Sequence, residues 1–136
     1  MPTALLSVYD KTGVADLARS LHDLGWSLVS SGGTARHLAQ ESITVTKVSD
    51  ITRFPEILGG RVKTLHPAIH AGILADRSND GHMRELGALD YHKIDMVVVN
   101  FYPLDGLRDS RDLSFIDIGG PAMTRAAAKN FGSCVI

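Results

Sequence analysis

The sequence predicts an α/β protein built on a mainly parallel sheet with helices on both faces. Short β-type runs alternate with amphipathic segments from Ala4 onward, the signature of strands joined by crossover helices. The most strand-like run, Ile94 to Asn100, is nearly continuous in apolar character, as a strand covered on both faces should be, and is expected near the middle of the sheet.

Ala4 to Tyr9 reads as the first strand. Val14, Leu17, Ala18, Leu21 and Leu24 then recur at helical spacing until Gly25 stops the pattern. Trp26 to Ser30 forms a second strand, and Ser31-Gly32-Gly33-Thr34 leads into a short helix over Ala35 to Gln40. Thr44 to Val48 is a third strand by β-branched content. Pro67 suits the first turn of a helix because it lacks an amide proton, which places a helix over Ala68 to Leu74. Asp80 to Leu89 is helical in pattern, Leu104 to Ser114 is a polar exposed loop, and Pro121 to Asn130 is an alanine-rich helix. Val135 and Ile136 look like the start of another strand.

With 136 residues and 44% hydrophobic content, the chain fits one compact domain spanning 1–136, with no room for a second. Its 14 basic and 15 acidic residues are interspersed, so no basic stripe is available to track a nucleic-acid backbone. The longest aliphatic run, Met96 to Val99, is far below the roughly 20 residues that span a bilayer, which argues against a membrane partner. Cys134 is the single cysteine, and the Met-Pro-Thr start lacks a signal peptide's basic flank and apolar core. A cytoplasmic location is the expectation.

Three motifs suggest chemistry. Ser31, Gly32, Gly33 and Thr34 lie between strand and helix, where amides, hydroxyls and the helix dipole can meet a phosphate; the plainer reading is a glycine turn with Thr34 as N-cap. Lys11 follows the first strand and, in a parallel sheet, would face the same crevice. Arg61, Lys63 and Thr64 follow Gly59-Gly60, whose freedom of backbone permits close approach to a ligand, against the alternative of a solvated loop. Asp117 interrupts the apolar run Phe115 to Ile118 and either cap the next helix or serve a site. Lys129 sits where a cation complements a helix C-terminus. His66 and His70 share i, i+4 spacing but lack the glutamate of a zinc-binding H-E-x-x-H segment, so no metal site is expected. Cys134 has apolar neighbours and no cationic partner, which argues against a nucleophile; Tyr9 and Trp26 are core or pocket-wall aromatics.

Seven segments together carry a family resemblance: 7–13 (Ser-Val-Tyr-Asp-Lys-Thr-Gly), 31–34, 54–67 (Phe-Pro-Glu-Ile-Leu-Gly-Gly-Arg-Val-Lys-Thr-Leu-His-Pro), 70–75, 100–103 (Asn-Phe-Tyr-Pro), 116–120 (Ile-Asp-Ile-Gly-Gly) and 125–130 (Arg-Ala-Ala-Ala-Lys-Asn). In order and over nearly the whole chain, they resemble the inosine monophosphate cyclohydrolase domain of the bifunctional purine-biosynthesis enzyme. The resemblance implies a methylglyoxal-synthase-like, Rossmann-type fold and dehydration of 5-formamidoimidazole-4-carboxamide ribotide to inosine monophosphate, without metal or organic cofactor, by a homodimer. It implies that Lys11, Ser31, Gly32, Gly33 and Thr34 hold phosphate and ribose, and that Arg61, Lys63, Thr64, Asn100, Asp117 and Gly119 surround the base. Lys63, Tyr102, Asp117 and Lys129 would carry the chemistry.

The chain departs from the family pattern in three ways. No formyltransferase domain follows; the loop Asp105 to Ser114 is shorter than the family's insertion; and the family's domain continues beyond the strand beginning near Val135. Two rival functions follow: the same ring closure on another formylated azole carboxamide nucleotide, or a noncatalytic nucleotide- or phosphate-binding regulatory domain. Lys63, Asp117 and Lys129 together exceed what phosphate binding requires. Methylglyoxal synthase itself would leave the long motifs without a use.

Overall fold

The computed structural model describes residues 1–103 and 113–136. Of the expected loop Leu104 to Ser114, and of its shortened stretch Asp105 to Ser114, residues 104–112 lie outside the described residues, and Leu113 and Ser114 enter a 3-10 turn, Leu113–Phe115. Four parallel strands, β1 (Thr3–Ser7), β2 (Ser27–Ser30), β3 (Thr46–Lys47) and β4 (Met96–Val99), are ordered β3-β2-β1-β4. Leu5 is level with Val29 on one side and Val97 on the other. Six α-helices accompany them among the described residues: α1 (Val14–Asp23), α2 (Gly32–Gln40), α3 (Val48–Thr52), α4 (Pro67–Leu74), α5 (Asp80–Ala88) and α6 (Gly119–Lys129).

Alternation along β1 builds two cores. Leu5 enters one with Val29, Val97 and residues of α3, α4 and α6, among them Ile69, Ile73 and Met123. Ala4 and Leu6 enter the other with Leu28 and with Val14, Ala18, Leu21 and Leu38 of α1 and α2. The result is the expected sheet with helices on both faces. Helix ends follow local chemistry. Gly25 takes φ 80°, and the amides of Gly25 and Trp26 reach back to His22 and Leu21, a Schellman-type stop for α1. His66 caps α4, its Nδ1 accepting the Ala68 amide at 3.1 Å, with Pro67 at the first helical position. Trp26 packs against the second core.

Two strand expectations are corrected. The third strand shrinks to Thr46–Lys47 because Val48 opens α3 and buries its side chain in the first core, where tertiary packing outweighs β propensity. The apolar run at 94–100 is not the centre of the sheet: β4 ends the strand order, and β1, with Ala4, Leu5 and Leu6 fully buried, is central. The outer side of β4 is met by an isolated parallel bridge from Met96 to Val135. That contact, and α6 packed over the strand, account for its hydrophobicity. Helices α2 and α6 also begin earlier than expected, each taking in its glycine pair.

Candidate active site

Because the chain steps from β1 to β2 and β3 on one side and returns to β4 on the other, the loops leaving β1 and β4 diverge at the carboxyl edge of the sheet. A crevice is expected at such a switch point. A cavity of about 820 Å³ opens there, within the size range of small-molecule sites. It is walled by the loops after β1, β2 and β4, the Leu58–Leu65 segment and the entry to α6. All the site residues expected from the sequence line it except Gly32, which faces an adjoining groove, and Lys129.

At one end lies the N-terminus of α2. Ser31 is extended, and Gly32 turns the chain in through a left-handed φ of 53°. The amides of Gly33 and Thr34 have no protein acceptor among the described residues, and neither does the hydroxyl of Ser31, a residue that lines the cavity. These groups and the helix dipole are suited to an anion. Lys11 stands beside them: its Nζ donates to the Tyr9 carbonyl at 3.0 Å and lies 3.6 Å from where a Cβ on Gly33 would be. Thr34 is neither the N-cap nor a free ligand. Its buried hydroxyl accepts from the Val8 amide at 3.1 Å and donates to the Val8 carbonyl at 3.0 Å, tying α2 to the end of β1.

The Gly59–Gly60 segment is a tight hairpin turn. Leu58, Gly59 and Gly60 all have positive φ, and Ile57 and Val62 pair across it. Lys63 leaves the hairpin with its Nζ 2.9 Å from the position of a Cβ on Gly32 and 3.6 Å from that on Gly60. The two glycine motifs therefore form a slot for this ammonium, and a side chain at 32 would displace it. Neither Arg61 nor Lys63 makes a side-chain hydrogen bond or ion pair among the described residues. Thr64 is buried, its Oγ1 2.6 Å from where Gly119 would place a Cβ, which explains the glycine there.

Asn100 serves the scaffold. Its Oδ1 accepts the Tyr9 and Asp10 amides at 2.6 and 3.0 Å, and its Nδ2 donates to the Asp10 carbonyl at 2.8 Å. Through it β4 shapes the loop bearing Lys11. Tyr102 stands edge-on between Tyr9 and Phe115, at centroid distances of 5.1 and 6.1 Å. Asp117 holds the start of α6, its Oδ1 accepting the Gly120 amide at 2.9 Å, while the residue also lines the cavity. The capping and site readings thus coexist. Lys129 is exposed in the last turn of α6, about 15 Å along the axis from the helix start that faces the cavity.

Sequence reasoning missed Arg36 and Glu56. Arg36 lines the cavity one turn into α2, a position that its spacing from Gly33 could have flagged. Glu56 accepts the Gly32 amide at 3.1 Å. The cavity thus carries Lys11, Arg36, Arg61 and Lys63 against Asp117, an excess of positive charge that suits an anionic ligand. Away from it, Cys134 is buried, and desolvation pushes its thiol above the usual range. No cluster of metal-ligating side chains occurs among the described residues.

The MGS-like domain family matches residues 13–121. The bifunctional purine biosynthesis proteins PurH of Acetivibrio thermocellus and Clostridium kluyveri are each 53% identical to the chain over 98% of its length. PurH of Caldicellulosiruptor bescii is 53% identical over 94%. The chain spans about a quarter of these relatives, 26–28% of their lengths. A crystal structure of ForH superposes with a TM-score of 0.86 at 38% identity, covering 98% of this chain and 70% of that one.

Proposed function

The chain belongs to the MGS-like domain family, and from that premise we propose that it closes the six-membered ring of a purine nucleotide, dehydrating 5-formamidoimidazole-4-carboxamide ribotide to inosine monophosphate. The purine assignment draws on similarity to PurH over nearly the whole chain. One observation carries the chemistry: one cavity holds an anion seat at α2 together with the Lys63 ammonium, which has no partner among the described residues, and the Asp117 carboxylate.

Phosphate on the Gly33 and Thr34 amides, the Ser31 hydroxyl and Lys11 would anchor the nucleotide, with Arg61, Thr64 and the Gly119 backbone around the base. The carboxamide nitrogen is a weak nucleophile, so holding it against the formyl carbon of the same molecule supplies much of the acceleration. As the carbon–nitrogen bond forms, Asp117 takes the amide proton and Lys63 stabilises negative charge on the former formyl oxygen. That oxygen takes up the proton held by Asp117 and the one released from the formamido nitrogen and leaves as water, as a double bond forms between that nitrogen and the former formyl carbon. Tyr102, fixed edge-on between Tyr9 and Phe115, orients the carboxamide. Lys129 would act only by reaching the cavity of a second copy. The homodimer implied by the resemblance belongs to the proposal for that reason.

Absorbance-monitored turnover of the formylated ribotide in metal-free buffer tests the reading. Conversion above the spontaneous rate is expected. Bound inosine monophosphate without turnover would instead indicate a nucleotide-binding module.

A further inference from the structure

Hairpin 57–62 is closed by the Ile57–Val62 bridge, so Glu56 and Lys63 flank its stem as cross-strand neighbours. Among the described residues, the bond from the Gly32 amide to Glu56 Oε1, at 3.1 Å, is the one hydrogen bond made by a side chain of residues 54–63. The same Gly32 forms one wall of the slot occupied by the Lys63 ammonium, and Gly60, the other wall, has both Lys63 Nζ and Glu56 Oε2 within 4 Å of its Cβ position. Pinning one side of a two-strand stem fixes the other. Without the Glu56 bond, the stem bearing Lys63 would lean on α2 through no side-chain hydrogen bond.

We propose that Glu56 is the positioning residue for Lys63: by holding the Gly32 amide it seats the hairpin against α2 and keeps the ammonium in its slot. The carboxylate also occupies the first amide of α2, leaving those of Gly33 and Thr34 to the substrate phosphate. What Lys63 then does rests on the ring-closure reading; where Lys63 is held does not.

The test is a double-substitution cycle in the full chain, reading saturated turnover, affinity for inosine monophosphate by calorimetry, and thermal midpoint. Glu56→Ala should slow turnover by about ten- to a hundredfold, the scale of a displaced catalytic group. Glu56→Gln should recover most of that loss, because its amide oxygen accepts the same Gly32 bond. In a Lys63→Ala background, Glu56→Ala should add less than about twofold, since there is no ammonium left to position. Multiplicative losses in the double variant, equal losses for Ala and Gln, or a lowered thermal midpoint with unchanged turnover would each overturn the proposal. If Glu56→Ala fails to fold, Glu56→Asp, whose shorter arm falls short of Gly32, takes its place in the cycle. If the wild-type chain shows no turnover, the ring-closure reading fails, and the same cycle in nucleotide affinity still decides whether 56 and 63 are coupled.

Discussion

Arg61 and Arg77 carry the same guanidinium at opposite edges of the sheet. Arg77 sits at the amino ends of β1 and β4 with its side chain 20% exposed. It donates to the carbonyls of Ala75, Gly72 and Ile94 and lies 3.6 Å from Asp95, whose other oxygen accepts the Thr3 amide. Arg61, at the carboxyl ends, has no protein partner among the described residues. Nearby, Asn130 Nδ2 reinforces the closed edge by donating to Ile73 and Ala75. Buried polar groups that serve the fold are largely saturated, because an unmet one costs free energy; among the described residues Arg77 Nε is the buried side-chain atom left without a partner, while both terminal nitrogens of the same guanidinium are bonded. Groups left open along a cavity are the ones a ligand can complete.

Asp117 offers the largest test of that contrast, since it belongs to both classes. In Asp117→Asn the amide oxygen can still accept from Gly120, so the thermal midpoint should stay close to wild type. Saturated turnover should fall by about a hundred- to ten-thousandfold, because an amide is no base. Normal turnover would reduce Asp117 to a helix cap. Next come the cations. Lys63→Ala should slow turnover by about a hundred- to a thousandfold, as loss of an oxyanion donor does, with the fold intact. Arg77→Ala should do the reverse, costing about 3 kcal/mol in urea unfolding by leaving carbonyls and Asp95 unmet, with turnover per folded molecule unchanged. If both substitutions acted alike, the division between open and saturated edges would collapse.

Much of the open edge was legible in the sequence because glycine pairs and charge occur together there, and parallel topology sends the loops after β1, β2 and β4 to one side. Less legible was which polar side chains the fold keeps for itself. Asn100 and Thr34 sit in the right motifs, yet their partners, Asp10 and Val8, are set by strand adjacency across 90 and 26 residues. Glu56 escaped notice because its acceptor role depends on a hairpin meeting α2. The same limit explains β4, whose apolar run reflects α6 and the Val135 bridge rather than a central place in the sheet.

Thr34 supplies a smaller and sharper test. Thr34→Ala should cost about 1–3 kcal/mol of stability, because its hydroxyl is buried and bonded twice to Val8. Nucleotide affinity should weaken only as far as α2 loosens, since the phosphate is offered the Thr34 amide rather than its hydroxyl. Thr34→Ser should restore both. A large loss of affinity with stability unchanged would return the hydroxyl to the ligand.

The smallest expected effect compares two aspartates in similar turns, one at each edge. Asp10 accepts the Thr12 amide at 2.9 Å, and this bond, the Thr12 hydroxyl and Lys11 hold its carboxyl below the ordinary value of 3.8. Asp76 is lowered chiefly by the Ser78 hydroxyl at 2.6 Å, then by the Ser78 amide. A carboxyl depressed in the folded state stabilises it fully above the unfolded value, and that contribution fades as pH falls through the folded pKa. Both turns should therefore hold at neutral pH and weaken below about pH 4. Asp10→Asn and Asp76→Asn should each flatten slightly the acid-side fall of the urea midpoint, and the double variant more. Only Asp10→Asn should alter the pH dependence of nucleotide affinity, because only its turn carries Lys11. An equal change in Asp76→Asn would mean that the closed edge is coupled to the site and that the two ends of the sheet are not independent.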